Sequence, residues 1–292
     1  MGSLQKNLYS YLISYQLPND DKPDLVLSIS MMDAAHTRNM ILQLLQLGSL
    51  DLEGLLPWSS NYTFLVRVCP NTAVSQALNL ASTDDLTEIQ SVYKPSRGER
   101  PLWDFPSGTL CNREHAAYLV SAALGWNLVP PTVLRDGPHG IGSLQLFIEH
   151  DPDSHYFTIE GDPGFAEQLQ KIVLFDIIIN NADRKAGHVL IEENSSPDKL
   201  WAIDHGICFH TDPKLRTVIW EFAGQPIPEP LLADLRTLKD ALAINKNNLG
   251  TQLQDALSQQ ELFTFLRRLD NLIEKGIFNV PGAGRHYPWP PV

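Results

Sequence analysis

Three shortages narrow what this 292-residue chain can be: three cysteines, 22 basic against 34 acidic side chains, and no long apolar run. Cys69, Cys111 and Cys208 are too few and too scattered for a disulfide framework or a structural zinc site, so they read as reduced thiols of a cytoplasmic protein. The charge balance of −12 makes a surface that repels nucleic acid and anionic lipid. No segment approaches the roughly 20 apolar residues that cross a bilayer, so no integral membrane segment is expected. The start, Met1 to Lys6, lacks the apolar stretch and cleavage site of a secretory signal. Lys6 stands where a myristoylation motif needs Ser or Thr. Internal repeats and low-complexity tracts are absent too.

What is present is enough for one large domain or two modest ones. Residues 1–35 open with Leu8, Tyr9, Tyr11, Leu12 and Tyr15 and turn at Pro18 to Asp21, as a packed helix or a partly ordered extension. A helix starts at Asp33 as cap. Strands are expected at Tyr62–Val68 and at Ile89–Lys94, with a polar stretch between them and Pro95 as a stop. A helix fits Asn112–Leu124, ended by Gly125. Val129–Leu134 and Ser143–Glu149 read as strands around the turn Asp136–Gly140. Beyond residue 150 an apolar helix covers Phe165–Ile179, short extended runs cover His188–Ile191 and Leu200–Ile203, and a helix closes Leu253–Lys275 before Gly276. Tyr287 to Val292 is expected as an extended strap or loose end. A strand-rich half, then a helix-rich half, with polar motifs at the junction, is an α+β arrangement with a cleft between lobes.

The motifs at the junction carry chemistry. Asn180-Asn-Ala-Asp-Arg-Lys-Ala-Gly-His188 is followed by Ala202-Ile-Asp-His-Gly206. Phosphoryl transfer needs a carboxylate to orient and deprotonate the acceptor hydroxyl, and ligands for a cation that neutralises phosphate charge. A loop Asp183, a metal-ligand candidate five residues on at His188, and Asp204 opening an Asp-x-Gly turn supply those parts in kinase order. Either Asp alone reads as a turn cap or a strand end; the pair favours phosphoryl transfer. Lys94, at the end of a strand, can hold nucleotide phosphates if a helix carboxylate fixes it, and Glu114 in the first helical turn is the candidate. Ser59, Ser60 and Asn61 form a glycine-free candidate phosphate loop, which alone reads as a turn.

These segments resemble a known family. Ser143–Glu149, Phe175–Arg184 and Ala202–Phe209 look like the hinge, catalytic loop and metal-binding turn of type II phosphatidylinositol 4-kinases. Val92–Pro95 looks like their nucleotide lysine motif. The chain as a whole is similar to a bacterial family related to phosphatidylinositol 3-/4-kinases. The resemblance implies a two-lobed protein-kinase-like fold, with an N-terminal extension at 1–35, an N-lobe at 36–149 and a C-lobe at 150–292. It implies Asp183 as catalytic carboxylate, Asp204 as magnesium ligand, Lys94 as phosphate contact with Glu114 as its partner, and Phe147 and Ile148 as backbone readers of adenine. ATP and Mg²⁺ or Mn²⁺ are the implied cofactors.

His188 stands where those kinases carry a metal-binding Asn. It is read as a neutral ligand, as a cationic phosphate contact, or as filler beside His205. With an ordinary histidine pKa near 6.5, ligation would fail below about pH 6. The cysteine-rich insert of the lipid kinases is absent, and a short segment, Arg97 to Phe105, takes its place. The expected activity is transfer of the γ-phosphoryl of ATP to a hydroxyl of a protein or small molecule. A nucleotide-binding pseudokinase and a phosphoinositide kinase are the alternatives. The acidic balance counts against the lipid substrate, since basic residues near a membrane contribute about 1 kcal/mol each.

Overall fold

The computed structural model describes residues 34–56, 61–83, 86–192 and 198–292. The aromatic N-terminal segment, the Asp33 cap, Ser59 and Ser60 lie outside them. Helix α1 (Ala34–Leu47) is followed by β1 (Ser49–Leu55) and β2 (Phe64–Cys69). A short helix α2 (Thr72–Ala77) interrupts the polar stretch before β3 (Ile89–Pro95). Asn71 caps it, its side-chain oxygen accepting from Val74 N at 3.1 Å. Helix α3 (Leu110–Leu124) precedes the hairpin of β4 (Thr132–Gly137) and β5 (Gly140–Leu146). These five strands form one antiparallel sheet in the order β1-β2-β3-β5-β4.

Strand β1 was not expected. It reads Ser-Leu-Asp-Leu-Glu-Gly-Leu and is exposed along nearly all its length, so it carries little of the apolar signal that marks a strand. It is an edge strand held by its ladder to β2 and by Arg67, which meets Glu53 at 2.8 Å. The β4–β5 pair sits later in β4 and earlier in β5 than expected. Pro130 and Pro131 cannot donate to a ladder, so β4 starts at Thr132. Gly137 pairs with Gly140, which leaves only Pro138-His139 as the loop. Gly140 holds φ +94°, a conformation that glycine adopts without strain.

The C-terminal part has α4 (Tyr156–Ile159), α5 (Ala166–Ile179), the hairpin β6 (Val189–Glu192) with β7 (Lys199–Ala202), then α6 (Glu229–Ala243), α7 (Leu249–Ala256) and α8 (Gln259–Lys275). The single closing helix expected from Leu253 is therefore two. Apolar periodicity runs through the break, but Ser258 forms a capping box with Glu261, whose carboxylate accepts from Ser258 N at 2.9 Å. The signature S-x-x-E was in the sequence and marks a helix start.

The core has two parts. The smaller joins α1, β2, β3 and β5 with Leu190 and Trp201, so the β6–β7 hairpin reaches up to the sheet. The larger unites α5, α6, α7 and α8 with Ala116, Ala117, Val120 and Leu124 of α3. Arg113 of α3 is buried against Glu261 and donates to the Cys208 carbonyl at 2.7 Å. Helix α3 is thereby anchored to the helical part as well as to β4 and β5 of the sheet.

Candidate active site

Strand period places Lys94 on the cleft side. Ile89, Ser91 and Tyr93 of β3 are buried, while Gln90, Val92 and Lys94 alternate with them. Helix α3 starts two residues earlier than expected, so Glu114 lies in its second turn, 3% exposed. The Lys94 ammonium donates to Glu114 Oε1 and, at 2.9 Å, to Asp204 Oδ1. Glu114 Oε2 accepts from His205 N at 2.9 Å, which ties the helix to the Asp-x-Gly turn.

Asp204 itself holds φ +61°. Asp tolerates this left-handed conformation better than most residues, and such strain collects at functional sites. Its side chain is 48% exposed, so the carboxylate is reachable from the cleft. The Lys94 ammonium, with burial working against it, holds the Asp204 carboxyl well below the usual range. Burial would push Lys94 down, but Asp204 and Glu114 overcome it and its pKa is raised. Burial raises Glu114, with Lys94 opposing.

The loop after α5 carries Asp183 and His188. Asn180 ends the helix in a left-handed turn at φ +55°. Asn181 then folds the loop back, its side-chain oxygen accepting from Asp183 N at 3.0 Å. Asp183 is partly exposed and meets Lys185 at 3.3 Å. Burial pushes its carboxyl up, and Lys185 opposes. Lys185 was missed in the sequence; the available signal was a cation two residues beyond the loop Asp.

His188 Nδ1 lies 3.0 Å from the Asp183 carbonyl. That contact requires the proton on Nδ1, which leaves Nε2 as an acceptor 3.3 Å from Asp204 Oδ2. Two acceptors facing each other is an arrangement a cation completes, and the backbone contact is the kind that fixes a metal-ligating imidazole. Among the described residues no group of three or more His, Cys, Asp and Glu side chains could hold a metal by itself. A cation at this pair would therefore need further oxygens from phosphates and water, the usual situation in nucleotide sites. The expected acid limit near pH 6 is corrected here. Burial pushes the His188 ring down to about 4, with Asp204 only partly opposing, so the ring is neutral well below pH 6.

The remaining candidates divide. Asn61 Oδ1 accepts from Arg100 N at 2.8 Å, which binds it to the Arg97–Phe105 segment. It does lie in the β1–β2 connection, closed by Leu56 N to Thr63 O at 2.8 Å. Phe147 and Ile148 follow β5 directly. Phe147 N donates to Gln90 O at 3.0 Å, so that amide is committed to the sheet and is not available to read a base. Ile148 O accepts from the His150 ring at 2.8 Å.

The C-terminal tail is a strap. Thr217 N donates to His286 O at 3.1 Å, and Ala186 N to Pro291 O at 2.8 Å. The second contact lies on the loop between Asp183 and His188.

A five-stranded antiparallel sheet followed by a largely helical part, with a lysine–glutamate pair and two loop aspartates at their junction, is a kinase-like fold. It is similar to the Golgi casein kinase with Mn/ADP bound, at 14% identity and a TM-score of 0.53, covering 94% of this chain and 85% of that one. The chain belongs to the phosphatidylinositol 3- and 4-kinase family, whose family model matches residues 129–268. Protein Rv2133c of Mycobacterium tuberculosis is 36% identical over 276 residues, which is 83% of this chain and 92% of that protein. Phosphatidylinositol 4-kinase gamma 4 of Oryza sativa subsp. japonica is 32% identical over 133 residues, 39% of this chain. That match spans 23% of the rice kinase. Among the described residues no helix is long and apolar enough to cross a membrane.

Proposed function

We propose that this protein transfers the γ-phosphoryl group of ATP to a hydroxyl group of a protein or small molecule. The observation that carries this reading is the convergence of Lys94, Glu114, Asp204 and His188, with Asp183 on the same loop as His188. Lys94, fixed by Glu114, holds the α- and β-phosphates. Asp204 and His188 hold the divalent cation, Mg²⁺ or Mn²⁺. When bound, that cation neutralises charge on the phosphates.

Asp183 accepts the proton of the acceptor hydroxyl. Its partial burial favours that role, because a raised carboxyl is a stronger base. Lys185 beside it supplies positive charge next to the transferring group. Ile148 and its neighbours in the chain after β5 contact the base. The proposal includes the division into lobes near residue 149. The five strands before that residue support it, although α3 packs with the C-terminal helices.

The test is incubation with γ-labelled ATP and Mg²⁺ or Mn²⁺, alone and with cell extract, following label into protein and small-molecule fractions. Label transfer that disappears in Asp183→Asn supports the reading. ATP binding without any transfer would assign the chain to the pseudokinases. Absence of any thermal shift with millimolar nucleotide, on folded protein, would remove both.

A further inference from the structure

A second pocket opens behind α3, on residues that the nucleotide reading does not use. Its lining joins four elements: Arg38 of α1, Tyr118 of α3, Asn127 and Val129 of the connection to β4, and Lys199 and Trp201 of β7. Its volume is about 70 Å³. A water needs roughly 10–15 Å³ by this measure, so the space suits a group of about five heavy atoms.

Two cations meet there in a chain whose overall balance is strongly acidic. Arg38 donates to Asn127 Oδ1 at 2.6 Å, which uses one of its five N–H groups. Lys199 places its ammonium 3.3 Å from the centroid of the Trp201 ring. Among the described residues neither cation is in a salt bridge. Glu192 is opposite Lys199 in the ladder and accepts from the Trp201 indole at 2.7 Å. Two half-buried cations lining one cavity make it a candidate site for an anion.

We propose that this pocket is a ligand site for a phosphate monoester, whose dianion matches the two cations and whose size matches the space. Burial pushes the Lys199 amine down to about 8, with Glu192 opposing and Arg38 adding to the depression. A bound dianion would relieve that depression. The site adjoins the catalytic elements. Tyr118 is one turn beyond Glu114 on α3, and β7 runs from Lys199 into Asp204. Ala202 N donates to Leu128 O at 2.8 Å, joining the two walls. A ligand spanning α1 and β7 therefore bears on the carboxylates that hold Lys94, and the site is an effector site.

The test needs no variant to begin with. The whole protein is treated with limiting acetic anhydride at pH 8, and each lysine is followed by peptide mass spectrometry. Lys199 should react early, and inorganic phosphate at ten times its Kd should slow it on the order of tenfold, as site occupancy dictates. Chloride at equal ionic strength should not. The phosphate-induced rise in melting temperature should survive Lys94→Met and vanish in Arg38→Gln and in Lys199→Met. A rise lost only in Lys94→Met, or no protection of Lys199, overturns the proposal. So does protection without phosphate that is lost in the full chain carrying Asp20→Asn, Asp21→Asn and Asp24→Asn, because the occupant would then be the chain's own acidic segment.

Discussion

Adjacent residues of one loop belong to two charged clusters of opposite design. Arg184 is fully buried and spends its donors completely. It makes two bonds to Asp176 at 2.8 and 2.9 Å, and two to the carbonyls of His188 and Ile203 at 3.0 and 2.8 Å. A fifth contact reaches His205 Nε2 at 2.7 Å. Asp183, one residue earlier, is partly exposed and its carboxylate meets Lys185, while Asp204 across the cleft is half open. Arg184 has no donor left for a ligand. The second keeps acceptors and charge facing the cleft. A closed network under an open one holds the loop rigid, so the open groups can be aimed at the cleft.

The largest effect should come from opening the closed cluster. Arg184→Met leaves Asp176 buried without its counter-charge, and loss of one partner of such a pair costs about 3–5 kcal/mol. Denaturant unfolding should show that drop, together with loss of nucleotide binding. A stable Arg184→Met protein would mean that the closed cluster is not what supports the loop.

Asp183→Asn sharpens the contrast, since it touches only the open side. Turnover should fall on the order of 10²–10⁴ while melting temperature and nucleotide affinity stay near those of the parent. Asp204→Asn should instead weaken metal-dependent nucleotide binding. Equal turnover in parent and Asp183→Asn, measured with labelled ATP, would break the role given to Asp183.

A smaller change is expected in metal choice. Neutral imidazole suits Mn²⁺ better than Mg²⁺, so the parent should prefer Mn²⁺, and His188→Asn should move the ratio toward Mg²⁺. An unchanged ratio of the two activities would remove His188 from the ligand set.

A further effect concerns pH. His188 and His205 are held neutral, their pKa values lowered first by burial. The unfolded chain takes up protons on both near pH 6.5, while folded His188 waits until about 4. Between those values the unfolded state binds more protons, so stability should decline as pH falls through that window. Melting curves from pH 7 to 4.5 test this. His205→Asn should flatten the slope, and a pH-independent melting temperature would contradict it.

Much of this was open to reading along the chain. Asp183, Asp204, Lys94 and Glu114 stand at spacings that local elements impose, and the structure brings Lys94, Glu114 and Asp204 into contact. The apolar helix Ala166–Ile179 and strand Ile89–Pro95 announced themselves by periodicity and by composition. Edge strand β1 did not, because its residues face water on nearly all sides. The break at Ser258 was masked by an apolar period that continues across it.

What the sequence by itself determined is the set of chemical groups and the order in which they arrive, since residue type and local period depend only on near neighbours. Tertiary structure decided the rest. Burial, not residue type, lowered the His188 ring and raised Asp183. The Phe147 amide went to Gln90, fifty-seven positions away, because the β3–β5 register continues past the strand end. Arg38 and Lys199 came to line one cavity only because α1 and β7 both meet the connection between α3 and β4. Desolvation and long-range pairing depend on which distant segments exclude water together, and that is not written in any window of the chain.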